Sequence, residues 1–200
     1  MTAKLPSPTV LTGRHVRLEP LTPAHAADLF EAAGNDEEVF RWVPVAIPTT
    51  PAEMADNLTA RIDDPSCDPF AVIHLSTGKA VGVTCYFDAS ADDESLEIGG
   101  TWYGRQVWRT EVNTESKLLL LTHAFEDLGM GRVCWKTDHL NERSQNAIKR
   151  LGAQYEGTFR RSRQRRDGSW RDSVYFSMLA DEWPTAKDRL TTRLAAGPMG

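Results

Sequence analysis

The sequence predicts an α/β domain of mixed type, in which a single central sheet, mixed but mostly antiparallel, carries helices on both faces. Three observations predict it. Segments with strand periodicity and segments with helix periodicity interleave in the order β, α, α, β, β, β, loop, α, β, α, β, β, α. Two pairs of strand-like segments are joined by hairpin turns, at Ser76-Thr77-Gly78-Lys79 and at Asp167-Gly168, so those pairs are antiparallel. The long helix after the fourth strand-like segment is a crossover between neighbouring strands, which makes the sheet mixed.

Each element has its own warrant. "RHVRLEPL" (14–21) alternates Val16 and Leu18 with Arg17 and Glu19, as a half-buried strand does. Thr22 caps a helix with Pro23 in its first turn, running to about Ala33. "NDEEVFRWV" (35–43) is a short helical piece and "PVAIPTTP" (44–51) a proline-broken loop. Thr50 and Glu53 have capping-box spacing, which starts a helix to about Asp63. "PFAVIHL" (69–75) and "AVGVTCYF" (80–87) are strands, followed by the solvated acidic turn "DASADDES" (88–95). "LEIGGTWY" (96–103) is the fourth strand, its glycine pair marking a bulge. A helix from about Asn113 to Leu128 follows, with Leu118, Leu121, Phe125 and Leu128 as its core stripe and Gly129 and Gly131 at its end. "RVCWKTD" (132–138) is a strand, and "NERSQNAIKRLGA" (141–153) a helix stopped by Gly152. The hairpin 153–179 and a helix in 181–194 complete the domain, leaving 195–200 as a flexible tail.

Two hundred residues suit a single domain over 1–200 that needs neither disulfide nor metal. A net charge of −5 argues against wholesale attraction to nucleic acid or membrane. Three scattered cysteines, Cys67, Cys85 and Cys134, read as free thiols in a reducing compartment. The first residues lack a signal-peptide core, and no run reaches the length of a bilayer span, so a soluble cytoplasmic protein is expected. The five histidines show no metal spacing with the cysteines, so no metal is expected.

Four stretches then resemble a known family: "LEIGGTWY", "VNTESKLLLLTHAFEDLGMGRV" (112–133), "NERSQNAIKRLGAQYEG" (141–157) and "DGSWRDSVYFSML" (167–179). In this order and at these distances they resemble the GCN5-related N-acetyltransferases (GNAT), in particular the RimJ/RimL-like ribosomal-protein N-terminal acetyltransferases. The resemblance implies a GNAT fold and an acyl-CoA, most simply acetyl-CoA, bound in a V between the fourth and fifth strands. It implies pantetheine pairing with Thr101, Trp102 and Tyr103. It also implies a pyrophosphate on the turn Trp108, Arg109, Thr110, Glu111, Val112, Asn113 and Thr114, where helix N-terminal amides attract anions. The family's pattern there is Gln or Arg, two residues, Gly, one residue, Gly or Ala. Here Trp108, Glu111 and Asn113 stand at the three defining places. A Glu111 carboxylate turned inward, about 5 Å from the diphosphate, would cost roughly 3 kcal/mol at an effective dielectric near 20, about two decades of affinity.

Transfer to an amine needs a base for the amine and a proton for the leaving thiolate. Glu97 on the fourth strand is the candidate base; the alternative is an outward-facing strand residue. The family's thiolate-protonating tyrosine is replaced by Ile148, and the RimL-like Asn-x-x-Ser alternative is present as Asn141 and Ser144. Asn141 is then expected to hold the pantetheine arm and Ser144 to be the acid, or else a helix cap. The acceptor expected is a primary amine of a protein N-terminus or small molecule, and a homodimer is allowed. "RRSRQRR" (160–166) reads first as a charged hairpin edge; attraction of an acidic acceptor or the CoA 3′-phosphate is another reading, and nucleic-acid binding a poor alternative. His139 is a weaker pocket candidate. Trp102 and Trp108 are expected to wall the pocket while Trp42, Trp135, Trp170 and Trp183 pack. The competing reading is a degenerate domain of the same fold that binds without turnover, motivated by Glu111, Asn113 and Ile148.

Overall fold

A computed structural model describes residues 2–197. The strands are β1 (Leu11–Thr12), β2 (Val16–Pro20), β3 (Cys67–His74), β4 (Lys79–Ser90), β5 (Ser95–Tyr103), β6 (Arg132–Asp138), β7 (Gln154–Gln164) and β8 (Trp170–Leu179). The helices are α1 (Ala26–Ala33), α2 (Glu37–Phe40), α3 (Pro51–Ile62), α4 (Glu111–Thr122), α5 (Glu142–Leu151) and α6 (Trp183–Ala196). All eight strands form one sheet in the order β1-β2-β3-β4-β5-β6-β8-β7. Every neighbouring pair is antiparallel except β5 and β6.

Strand alternation divides the core. On one face, Val16, Leu18, Phe70, Val72, Tyr86, Leu96 and Ile98 pack against Leu120 and Leu121 of α4 and Trp183 and Leu190 of α6. On the other, Ala71, Ile73, Val83, Cys85 and Trp102 meet Leu29 of α1, Phe40 of α2, and Met54 and Leu58 of α3. Each fully buried large apolar side chain contributes about 1.5–3 kcal/mol, so these two layers hold the sheet from both sides.

Most expected boundaries stand, with instructive shifts. Thr22 is the cap, and the His25 ring completes the box by accepting from the Thr22 amide at 3.1 Å; the Pro23–His25 turn is 3₁₀ before α1 begins. Thr50 caps α3 through the Glu53 amide at 3.1 Å, but the Glu53 carboxylate reaches back to the Thr49 amide instead of to Thr50. The long helix begins at Glu111, two residues before the expected start, because the Thr110 hydroxyl is its cap and not Asn113. Its core face is Leu120, Leu121, Ala124 and Leu128, while Leu118 and Phe125 are only partly buried. The Tyr86 hydroxyl donates to the Leu120 carbonyl at 2.6 Å, beside the end of the regular helix. His123–Asp127 then continues as a π-helical turn, which rotates the later residues. The two-residue β1 was too short for alternation to reveal. The final helix runs to Ala196, so 195 and 196 are helical rather than tail, and 198–200 lie outside the described residues.

Candidate active site

The sheet opens where its one parallel pair ends. β5 and β6 pair at Ser95–Arg132, Leu96–Val133 and Glu97–Cys134 and no further. β5 stays with β4 as far as Tyr103–Gly82, and β6 stays with β8 as far as Asp138–Ser173, so the two strands part beyond Glu97. The predicted bulge lies at that point. Val83 pairs with Trp102 and Cys85 with Gly99, so Thr84 faces both Gly100 and Thr101. Gly100 has φ +58°, and a Cβ there would stand 3.2 Å from the Cys85 sulfur and the Phe87 ring. Only glycine fits both demands.

The gap leads into a cleft of about 1350 Å³, larger than the usual pocket for one small ligand. Glu97, Thr101, Trp102, Tyr103, Trp108, Arg109, Thr110, Glu111, Asn113, Thr114, Asn141 and Ser144 all line it, so the structure gathers twelve of the thirteen candidates in one place. Val112 does not line it. Its side chain is fully buried in the core and its amide donates to the Thr110 hydroxyl at 3.3 Å. His139 is also absent from the lining, while Trp42 and Trp135, expected only to pack, join Trp102 and Trp108 there.

At the cleft mouth, the first turn of α4 supplies helix-terminal amides. The turn before it contains one left-handed residue, Arg109, at φ +64°, a conformation that costs a non-glycine residue about 1–2 kcal/mol. Glu111 is already helical, so that position makes no conformational demand for glycine. The Glu111 carboxylate lies 3.5 Å from the His15 ring nitrogen, and His15 is not part of the cleft lining. Trp108 is fixed by its indole N–H, which donates to the Tyr103 carbonyl at 2.7 Å, and the Arg143 guanidinium lies over its ring at 4.1 Å.

The opposite wall is built from β6, β8 and the arginine hairpin. Glu97 is buried, and its Oε2 lies 2.5 Å from the Lys136 ammonium. Burial raises the Glu97 carboxyl above its usual range despite that partner. Asp138 at the end of β6 receives a fork from Arg165, at 2.6 and 2.9 Å, and the Leu140 amide at 2.9 Å. Arg166 donates to the Phe40 and Val45 carbonyls at 2.9 Å. These two arginines are thus spent on intramolecular contacts, as a structural hairpin requires. Arg163 and Arg171 line the cleft, and the Arg171 Nε is buried without a hydrogen-bond partner among the described residues. Asn141 caps α5, its side-chain oxygen accepting from the Ser144 amide at 3.1 Å. Ile148 fills the cleft side of α5 one turn on.

Lys136, Asp138 and Arg171 were not singled out from the sequence, nor were two residues of α4. Glu115 is buried and accepts from three consecutive amides, Arg14, His15 and Val16, at 2.8, 2.6 and 2.8 Å, tying α4 to the start of β2. Lys117 is buried at the cleft lining, its amino group donating to the Thr84 and Thr101 hydroxyls. Once Leu120, Leu121 and Ala124 are recognised as the core face, Lys117 falls one turn earlier on the same face, and that spacing was the available signal. Among the described residues the three cysteines are free. Cys134 is half-buried, its thiol pushed up to about 11 by burial. No described helix is long and apolar enough to cross a membrane, and no described cluster of three or more His, Cys, Asp or Glu is arranged to hold a metal.

Comparison with known proteins agrees with this geometry. A family model described as "Acetyltransferase (GNAT) domain" matches residues 15–154. A GCN5-related N-acetyltransferase from Brucella melitensis is 30% identical with a TM-score of 0.91, over 96% of this chain and 87% of that one. A T. thermophilus protein, named as a presumed acetyltransferase, is 36% identical with a TM-score of 0.87, over 96% of this chain and 100% of that one. Mycobacterium smegmatis RimJ in complex with CoA-disulfide shares the fold, at 20% identity and a TM-score of 0.79 over 96% and 98%. A search of curated proteins gives no match. With its parted parallel strands, its helix-capped cleft and these relatives, the chain belongs to the GNAT family of acetyltransferases.

Proposed function

We propose that the protein moves an acetyl group from acetyl-CoA to a primary amine by direct attack within a ternary complex. The observation that carries this reading is the parting of β5 from β6 into a cleft that ends at the N-terminus of α4. The donor set suits an acyl-CoA: helix-terminal amides at one end for a diphosphate, and an open strand edge at Thr101–Tyr103 for an amide-bearing arm. GNAT enzymes supply the acyl group in this way from acetyl-CoA.

The chain's own residues then divide the work. The first-turn amides of α4 anchor the donor's charged end, while Glu111 is drawn away toward His15. Asn141 fixes the start of α5 at the cleft edge and brings Ser144 to the lining. Glu97, buried, takes the proton released by the attacking amine, and its raised carboxyl is better matched to that task than an exposed glutamate. Lys136 holds it in place. Arg163 and Arg171 suit an acceptor bearing a carboxylate or other anionic group near its amine. An N-terminal amine, with a pKa near 8, needs the least help. These features support a peptide N-terminus or a small amino compound.

A second reading, binding without turnover, is favoured by Ile148 at the place of the family's acid and by Arg109 strained at the cradle. A thermal-unfolding titration separates the two. Acetyl-CoA at 100 times its dissociation constant should add about 2.7 kcal/mol, and CoA release should then follow addition of amines from a panel. Stabilisation without release across that panel favours the binding domain. No stabilisation at millimolar acetyl-CoA removes the acyltransferase reading.

A further inference from the structure

Lys117 is a lysine with 6% of its surface exposed, and it is among the residues that line the cleft. Nζ donates to Thr84 Oγ1 at 3.0 Å and to Thr101 Oγ1 at 2.8 Å, and those hydroxyls are 2.8 Å apart. The three groups form a triangle on the β5 bulge, where β5 leaves β6. Desolvation brings the ammonium down to about 7, opposed only by the nearby Cys85 thiol. The other charged groups around it face elsewhere. Glu115, two residues earlier on α4, is turned onto the β2 amides, and Glu97 on β5 is held by Lys136.

A structural role explains this poorly. The two threonine hydroxyls already satisfy each other, and a methionine would fill the same space without burying an amine. A lone titratable cation in a dry site is instead suited to meeting a charge that appears during reaction.

We propose that Lys117 is a catalytic residue whose amino group meets the sulfur of the acyl thioester and gives the departing thiolate its proton. This rests on the acyltransferase reading, which lays the donor arm along Thr101–Tyr103. The acceptor nitrogen forms a bond to the thioester carbonyl carbon, and the carbon–sulfur bond breaks with its electron pair on sulfur. The Lys117 ammonium protonates that sulfur and becomes a neutral amine, which the two hydroxyls still bind. The excess proton on the acceptor nitrogen passes to Glu97. Water then returns a proton to Lys117 and removes one from Glu97, so the sum is thioester plus amine to amide plus thiol.

The test uses CoA itself and needs no acceptor. CoA affinity is measured by calorimetry, and ionisation of the bound thiol is then followed by its thiolate absorbance against pH. In the wild type the bound thiol should ionise at least about tenfold more readily than free CoA, because the Lys117 ammonium beside the sulfur favours the thiolate. Lys117→Met should bind CoA within about threefold of wild type, yet its bound thiol should titrate like free CoA. Lys117→Gln, which keeps a donor for the two threonines, covers the case in which the methionine variant does not fold, and the same loss is expected. A bound thiol that titrates identically in the wild type and either folded variant overturns the proposal. Absence of CoA binding by the wild type shows up first in calorimetry, and overturns both the acyltransferase reading and the role of Lys117.

Discussion

The two walls of the cleft handle charge in opposite ways. Where the β5 bulge meets the middle of α4, the cleft offers hydroxyls, amides and one lysine, Lys117, held by two threonine hydroxyls. Toward β6, β8 and the hairpin the cleft is a network, with Glu97, at the last β5–β6 pair, on Lys136 and Asp138 forked by Arg165. A lone group in a dry site is shifted far by desolvation, whereas paired groups hold one another near fixed charge states. The first wall is thus free to change protonation during a reaction. On the second, Glu97 is the member whose carboxyl burial still raises despite its partner.

The strongest way to sharpen that contrast is Glu97→Gln. Removing a general base should lower kcat by about 10²–10⁴-fold while leaving acetyl-CoA affinity unchanged. The rate should fall as pH drops through a carboxyl pKa raised above the usual glutamate range, and the variant should lack that limb. Steady-state kinetics across pH, paired with calorimetry, reads both.

Glu115→Ala breaks the join between α4 and β2 without touching the cleft. One buried amide, of Val16, and two part-buried ones, of Arg14 and His15, lose a carboxylate acceptor, which should cost about 2–3 kcal/mol in denaturant unfolding. A loss below about 1 kcal/mol would mean that the three amides find other partners.

Lys117 gives the lone-charge wall a signature in stability. Its folded pKa is about 7, against the ordinary 10.5. Between those values the unfolded chain holds the proton and the folded chain does not, so folding releases it and stability rises with pH. Wild-type stability relative to Lys117→Met should therefore climb by about 1 kcal/mol per pH unit from pH 8 to pH 9. A flat difference would mean that the ammonium stays charged when buried.

The smallest effect expected is that of Glu111→Gly. With its carboxylate beside His15, removal should change acetyl-CoA affinity by less than tenfold, under about 1.4 kcal/mol. Tightening by about a hundredfold would place the side chain over the diphosphate instead.

The same contrast explains what could be read from the chain. The β5–α4 wall is continuous in sequence, so strand alternation, the Gly99-Gly100 bulge and the helix start exposed it, and Thr101 to Asn113 were found together. The helix start slipped because Thr110 and Asn113 are both good caps, and sequence alone does not choose between them. The facing wall joins Glu97 to Lys136 and Asp138 to Arg165, across separations that no local pattern encodes, so its pairing became visible only in the fold. Lys117 was missed because the helical stripe was phased on Leu118 and Phe125, and the π turn at His123–Asp127 obscures that phase. The left-handed residue of the turn is Arg109, which no sequence signal marks, since that conformation favours glycine.

The most direct measurement is a crystal structure of the protein grown with CoA. The expected result is a diphosphate on the first-turn amides of α4, the pantetheine arm along Thr101–Tyr103, the sulfur beside Lys117, and Glu111 still turned to His15. A nucleotide bound elsewhere, or a sulfur that points away from the β5 bulge, would contradict it.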